Sequence, residues 1–160
     1  MQQLEGLLDG GCLCGAIRYT LSGPILFVSQ CCCKDCRKAT GTGHTTVIGV
    51  PGGQLKITQG TPSTYTSKGD SGGDVVRHFC GRCGGRLYTS GTLPGAVVMV
   101  QAGSLDDPDR VQPQSVIYAK DALSWDHFDP ALPRFPGLPD RSAVFDTHRP
   151  RTTDETTPGG

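Results

Sequence analysis

The chain has no excess charge of either sign and no long apolar run. Lys and Arg total 15, and Asp and Glu total 15, among 160 residues. Nucleic-acid-binding proteins carry a surplus of Lys and Arg against the phosphates, so this balance argues against a nucleic-acid partner. The apolar runs, of which Ala96–Val100 is typical, fall far below the roughly 18 residues of a membrane span. We therefore expect neither a nucleic-acid nor a membrane partner.

Hydrophobic residues are also scarce for a chain that must close its own core. They make up 36% of the sequence, and aromatic residues make up 6%. A domain of this length can bury a core, but such a thin core would benefit from an additional cross-link. Gly (23) and Pro (12) are abundant while strong helix formers are few, which argues against a helical bundle.

Short β-like runs bounded by Gly, Pro or Ser recur along the chain. Their spacing of roughly ten residues predicts a mainly β fold of small antiparallel sheets with few short helices. Only Lys34–Thr40 has a helical pattern, and Gly41 is a plausible stop. The predicted strands are Ala16–Leu21, Ile25–Ser29, Thr45–Val50, Leu55–Thr58, Ser63–Ser67, Val75–Phe79, Arg86–Thr89, Ala96–Gln101 and Gln114–Ala119.

The composition changes towards the end of the sequence. Residues 130–139 hold four prolines and are predicted to form an extended surface segment that docks through Leu132, Phe135 and Leu138. The residues from Arg149 onward have no apolar anchor. We expect one folded domain over residues 8–138 and a disordered tail over residues 139–160.

Eight cysteines are the strongest signal in the sequence. The first residues show neither the basic start nor the apolar stretch of a secretory signal, so we expect a cytoplasmic location. Disulfides are rare in that reducing compartment, and metal binding becomes the leading interpretation of the cysteines.

Four of the cysteines form two pairs that lie far apart in sequence. Cys12 and Cys14 (CLC) precede the first predicted strand, and alternation in an extended segment points both to one side. Cys80 and Cys83 (CGRCG) have the form of a zinc knuckle, in which the chain folds back between the two sulfurs. Together they offer four thiolates to one structural zinc. The alternative is four buried thiols that act as small hydrophobes.

The other four cysteines lie within six residues, at Cys31, Cys32, Cys33 and Cys36. Cys31 and Cys33 lie on one side of an extended chain, Cys32 points to the other, and a first helical turn can bring Cys36 to join the pair. Three protein ligands with an open fourth position are typical of a catalytic zinc. Two alternatives are that Cys32 completes a closed site and that the cluster is a redox switch.

At this point the sequence resembles the glutathione-dependent formaldehyde-activating enzyme family, also called the GFA family. The resemblance runs from about Gly10 to Phe135. Its motifs are GGCLCGAIRY, the Cys31-Cys33-Cys36-Arg37-Lys38 run ending at Gly41, FCGRCGGRLY, AGSLDDP (Ala102–Pro108), and Trp125 before LPRF.

The resemblance implies small β-sheets around two zincs per chain. It implies a structural zinc on Cys12, Cys14, Cys80 and Cys83. It also implies a catalytic zinc on Cys31, Cys33 and Cys36. It also implies a carbon–sulfur lyase activity on a thiol adduct, S-hydroxymethylglutathione, made from formaldehyde and glutathione. A glutathione-like small molecule would then be the partner. The alternative is a non-catalytic, zinc-stapled binding module of the centromere protein V type.

Arg37 directly follows the last of the three clustered cysteines and is a candidate catalytic residue. It could pair with a substrate carboxylate or with the excess charge of the thiolates, and the alternative is a surface Arg on a short helix.

Five further residues invite a functional interpretation. Asp106 and Asp107 could act as a base, but Asp before Pro favours a turn. His44 and His78 could move protons, although polar strand positions are the simpler assignment. Trp125 could stack on a ligand, and we expect it to fill the core instead.

Overall fold

Ten β-strands and one α-helix build the part of the chain that the computed structural model describes, residues 6–91 and 97–139. The strands are β1 (Leu8–Gly11), β2 (Arg18–Leu21), β3 (Phe27–Cys31), β4 (Thr45–Pro51), β5 (Leu55–Gln59), β6 (Ser63–Lys68), β7 (Asp74–Phe79), β8 (Arg86–Gly91), β9 (Val97–Gln101) and β10 (Ser115–Ile117). Helix α1 (Lys34–Thr40) lies between β3 and β4.

The predicted mainly β fold is confirmed, and each of the nine predicted strands has a counterpart whose ends differ by no more than two residues. The sequence did not predict β1, because LDGG is poor in strand-forming residues. Gly10 is nevertheless required there, since a Cβ would lie 2.5 Å from the Tyr19 ring. No helix within the described residues is long and apolar enough to cross a membrane.

The strands form two sheets. The smaller has the order β1-β2-β5, and the larger has the order β10-β3-β4-β9-β8-β7-β6. All pairings are antiparallel except β10 with β3, which is parallel. That pair departs from the purely antiparallel sheets expected, because a long connection returns the chain to the edge of β3 in the same direction.

The hydrophobic core joins both sheets in one cluster. Strand β2 shows why, because its side chains alternate and bury Tyr19 and Leu21 at 1% and 0% exposure. The larger sheet contributes mainly Val, Ile and Leu, whose branched side chains suit a pleated surface. The fully buried residues that the larger sheet contributes to this cluster are Val28, Ile48, Val50, Leu87 and Val100.

Helix α1 has the predicted bounds. Cys33 caps its start, where the Sγ accepts a hydrogen bond from the Cys36 N–H at 3.3 Å. Gly41 ends it with a φ of +74° and donates its N–H to the Arg37 carbonyl at 2.8 Å. The helix therefore begins and ends among the residues of the candidate site.

The Pro-rich segment docks through its backbone beside β10. The Phe135 N–H donates to the Val116 carbonyl at 2.8 Å, and the Ala119 N–H donates to the Phe135 carbonyl at 2.9 Å. Leu138 is 71% exposed, so the prediction that it docks is wrong. Residues 140–160 lie outside the described residues, and the disordered tail and both domain boundaries stay predictions.

Candidate metal centres and the adjoining cavity

The structure brings Cys12, Cys14, Cys80 and Cys83 together. Cys12 and Cys14 follow β1, and Cys80 and Cys83 lie in the turn between β7 and β8. All four Sγ atoms lie within 4.8 Å of one another. The turn closes through hydrogen bonds from the Cys80 N–H to the Gly85 carbonyl at 2.9 Å and from the Gly84 N–H to the Cys80 carbonyl at 2.8 Å.

The sulfur spacing in this four-cysteine group fits a tetrahedral zinc. A Zn–S bond of about 2.3 Å places tetrahedral sulfurs ~3.8 Å apart. The Sγ of Cys14 lies 3.6 Å from that of Cys12 and 3.8 Å from that of Cys80. A hydrogen bond from the Gly85 backbone lowers the pKa of Cys83 to about 6. The group is therefore arranged for a metal, and it could hold one.

A second group consists of Cys31, Cys33 and Cys36. Cys31 ends β3, Cys33 caps α1, and Cys36 lies in the first turn of that helix. Their Sγ atoms also lie within 4.8 Å of one another, and no fourth His, Cys, Asp or Glu of the described residues joins them. Helix capping thus places two sulfurs beside a third that comes from the neighbouring strand.

The cysteines of this three-cysteine group differ in thiol pKa. Hydrogen bonds from Cys31 and Cys36 lower the pKa of Cys33, and hydrogen bonding to Cys33 and Cys36 raises the pKa of Cys31. The shared hydrogen bonds thus favour the ionised form of Cys33 and the protonated form of Cys31. A metal cation would replace those protons, which is the usual coupling between metal binding and thiol ionisation.

Cys32 stands apart from both groups. Its side chain is 0% exposed, and its Sγ is not part of the three-cysteine group. Burial raises its pKa to about 11, with a further contribution from the nearby Asp126 carboxylate. The alternatives that make Cys32 a fourth ligand or an easily oxidised thiol receive no support from this geometry.

Arg37 lies half-buried on α1, and its Nη1 donates to the Asp121 carbonyl at 3.3 Å. Its predicted role as partner of a substrate carboxylate stays a prediction.

Two further arginines, which the sequence analysis missed, interact with the three-cysteine group through their charge. Arg77 and Arg86 both act on Cys36 through their charge. Each lies on one of the two strands that flank the CxxC turn. Their closeness to that turn in the sequence could have identified them.

Tyr118 directly follows β10, and the charges of Cys31 and Cys33 act on it. It is the one non-glycine residue with positive φ, +53°, in the described ranges. Burial raises its pKa to about 12, and the charges of Asp70, Cys31 and Cys33 add to this effect. Residues in such sparsely populated backbone regions concentrate at functional sites.

A cavity of about 880 Å³ opens beside α1. Its wall includes Cys12 of the four-cysteine group, the end of the helix at Thr40 and Gly41, and Arg86. This volume lies within the range of small-molecule sites, which is roughly 300–1,000 Å³. The cavity therefore adjoins the four-cysteine group through Cys12, and it also includes Arg86, whose charge interacts with that of Cys36.

Three of the five further candidates from the sequence line the cavity, namely His44, Asp106 and Trp125. His44 Nδ1 lies 2.8 Å from Asp126 Oδ2, and the Nε2 lies 3.2 Å from Gln30 Nε2. Both ring nitrogens are thus engaged. Trp125 is 64% exposed on the cavity wall, so the prediction that it fills the core is wrong.

Asp106 and the remaining candidates have structural partners. Asp106 forms an ion pair with Arg18, which lowers the pKa of the carboxyl. Asp107 precedes a short 3₁₀ turn, which agrees with turn chemistry. His78 stacks on Tyr88 at 4.0 Å between ring centroids, and burial lowers its pKa.

Comparison with known proteins decides the family. A family model described as glutathione-dependent formaldehyde-activating enzyme matches residues 7–121. The chain belongs to the GFA family. The match spans all eight cysteines of this GFA member and ends before Trp125 and Asp126.

One curated relative and one solved structure extend the comparison. A Halomonas elongata protein, named as a candidate glutathione-dependent formaldehyde-activating enzyme, is 30% identical over 120 residues, 66% of this chain and 73% of the relative. A crystal structure of a Rhodobacter sphaeroides protein aligns with a TM-score of 0.51 and 16% identity, covering 79% of this chain and 98% of that one. This second likeness supports the fold alone.

Proposed function

We propose that this GFA member is a zinc-dependent enzyme of the carbon–sulfur lyase type that acts on the adduct of a thiol and an aldehyde. Glutathione and formaldehyde are the proposed pair. The observation that carries the proposal is the contrast between a complete set of four cysteines and a set of three with no fourth ligand among the described residues. A closed set suits a structural metal, and an incomplete set suits a catalytic one.

In this proposal Cys12, Cys14, Cys80 and Cys83 hold a structural zinc, and Cys31, Cys33 and Cys36 hold a catalytic zinc. The catalytic zinc would offer a fourth position at which a substrate thiol binds and loses its proton near neutral pH. The reaction joins the thiol sulfur to the aldehyde carbon, and the thiol proton ends on the former carbonyl oxygen. The lyase direction reverses each of these changes.

The chain's own residues would balance charge and hold the substrate. Three thiolates leave a divalent cation with an excess negative charge, and Arg77 and Arg86 place positive charge beside Cys36. Arg77 is 8% exposed, and its Nη2 lies 3.4 Å from Asp35 Oδ2, so it is held in place. The cavity of about 880 Å³ is large enough for a tripeptide thiol. The cytoplasmic location expected from the first residues of the sequence stays part of this proposal.

Exchange spectroscopy with ¹³C-labelled formaldehyde and glutathione tests the activity. Wild-type protein loaded with zinc should accelerate formation and cleavage of S-hydroxymethylglutathione above the spontaneous rate. Cys33→Ser should abolish the acceleration because it removes one of three ligands. Cys32→Ser is the matched control, since it alters an adjacent cysteine outside the group, and it should retain the acceleration. Equal activity in both variants would contradict the assignment of the catalytic group.

A further inference from the structure

The cavity has two kinds of lining that suit an anionic organic ligand. Leu13 and Trp125 supply exposed apolar surface, at 91% and 64% exposure. Arg18, His44 and Arg86 supply cationic or titratable groups on the same wall. A site that combines apolar surface with a few fixed polar groups is typical of small-molecule binding.

Arg86 differs from the other two because it has no carboxylate partner among the described residues. Arg18 is paired with Asp106, and His44 is paired with Asp126. The Nη1 of Arg86 donates only to a backbone carbonyl, that of Ala39, at 3.3 Å. Of these three side chains, Arg86 is therefore the one without a carboxylate partner.

The environment of Arg86 makes an anion favourable there. Its Nε is buried without a hydrogen-bond acceptor in the described part of the chain. Buried donors are almost always paired, because leaving one unpaired is energetically unfavourable. Burial and the charge of Arg77 lower the pKa of Arg86. An anion at the guanidinium would relieve that repulsion.

The fold also fixes where Arg86 stands. It begins β8 directly after Gly85, whose carbonyl accepts the Cys80 N–H, so the CxxC turn sets its position. From there its charge acts on Cys36. A carboxylate held at Arg86 would therefore lie at a fixed place on the cavity wall.

We propose that Arg86 binds a carboxylate of the ligand in this cavity and so makes the site selective for carboxylate-bearing thiols over uncharged ones. The thiol part of this inference rests on the proposed function. The carboxylate part rests on the cavity and on Arg86 alone. Arg suits the role because its planar guanidinium matches a carboxylate with two parallel hydrogen bonds.

Calorimetric titration with S-methylglutathione and its diethyl ester tests the carboxylate contact. Neither probe has a free thiol, so neither depends on a thiolate reaching a metal. The zinc-loaded wild type should bind the acid more tightly than the ester. Arg86→Gln should weaken binding of the acid roughly 10- to 100-fold, as for a lost charged hydrogen bond, and leave binding of the ester nearly unchanged. Arg86→Lys should restore part of the loss.

Lys56→Gln is the matched control, because Lys56 is an exposed cation on β5 of the smaller sheet. It should bind both probes as the wild type does. Equal weakening of acid and ester by Arg86→Gln, no weakening at all, or loss of zinc as its only effect would overturn the proposal. If Arg86→Gln fails in this way while uncharged 2-mercaptoethanol still perturbs the cobalt-substituted protein, the proposed function stands without the carboxylate contact. If no thiol perturbs the cobalt-substituted protein while Arg86→Gln still weakens binding of the acid and not of the ester, the carboxylate contact stands without the proposed function.

Discussion

Replacing Cys80 with Ser should destabilise the fold far more than replacing Cys33 with Ser. Cys80 is 2% exposed within the core cluster, and its Sγ lies 3.8 Å from that of Cys14, which is 66 positions away in sequence. A metal shared by the two sulfurs therefore closes a long loop. Cys33 shares its group with Cys31 and Cys36, which are close neighbours in sequence.

Loop-closure entropy gives the size of the difference. A cross-link over 66 positions raises the free energy of the unfolded chain by about 4 kcal/mol. A cross-link over the short Cys31–Cys36 segment raises it by about 2 kcal/mol. The free energy of unfolding of a single domain is only about 5–15 kcal/mol. Cys80→Ser should therefore lower Tm by about 8–16 °C or yield no folded protein, and Cys33→Ser should lower Tm by about 4–8 °C.

Circular dichroism in zinc-containing buffer measures both unfolding transitions, and native mass spectrometry counts the zinc. The wild type should carry two zincs, and Cys33→Ser should remain folded with one. Chelator titration of the wild type should remove one zinc before the fold is lost. Equal loss of Tm in the two variants, or one zinc in the wild type under every loading condition, would refute the division into structural and catalytic groups.

Two further predictions follow from buried side chains. Tyr19 is 1% exposed, and burial raises its pKa to about 12. As the pH rises, Tyr19 ionises first in the unfolded state. Its contribution to the free energy of unfolding is therefore fully present below pH 10 and falls by about 1.4 kcal/mol per pH unit between pH 10 and 12. Urea unfolding at pH 9 and 11 should show a shallower pH dependence for Tyr19→Phe, and identical slopes would count against this. Cys32 should resist alkylation by iodoacetamide in the folded protein, and labelling at the rate of an unfolded control would show that its burial is wrong.

Much of the fold could be predicted from local patterns. The helix Lys34–Thr40 was predictable because Gly41 ends it, and the Cys spacing already required a turn there. The strands were predictable from short runs between Gly, Pro and Ser. The parallel pairing of β10 with β3 was not, because it depends on where a long irregular connection places Ser115–Ile117.

The placement of the sulfurs within each CxC or CxxC segment could be predicted from spacing, because that geometry is local. The meeting of Cys14 with Cys80, 66 positions away, depends on the fold. Trp125 was misplaced because composition alone assigns a lone Trp to the core, whereas tertiary packing leaves it on the cavity wall. Arg86 and Asp126 were missed because their roles arise only when the CxxC turn and the segment after β10 come together around the cavity. Sequence spacing between distant segments does not contain that information.

The most direct test of the proposed catalytic centre is the sulfur-to-cobalt charge-transfer spectrum of the fully cobalt-substituted protein before and after addition of 2-mercaptoethanol. The proposal predicts seven cysteine sulfurs on two cobalts at the start and an increase equal to one Co–S bond when the thiol binds. Eight sulfurs before any thiol is added, or a spectrum that the thiol leaves unchanged, would mean that the second group is closed. The binding-module alternative would then replace the enzyme.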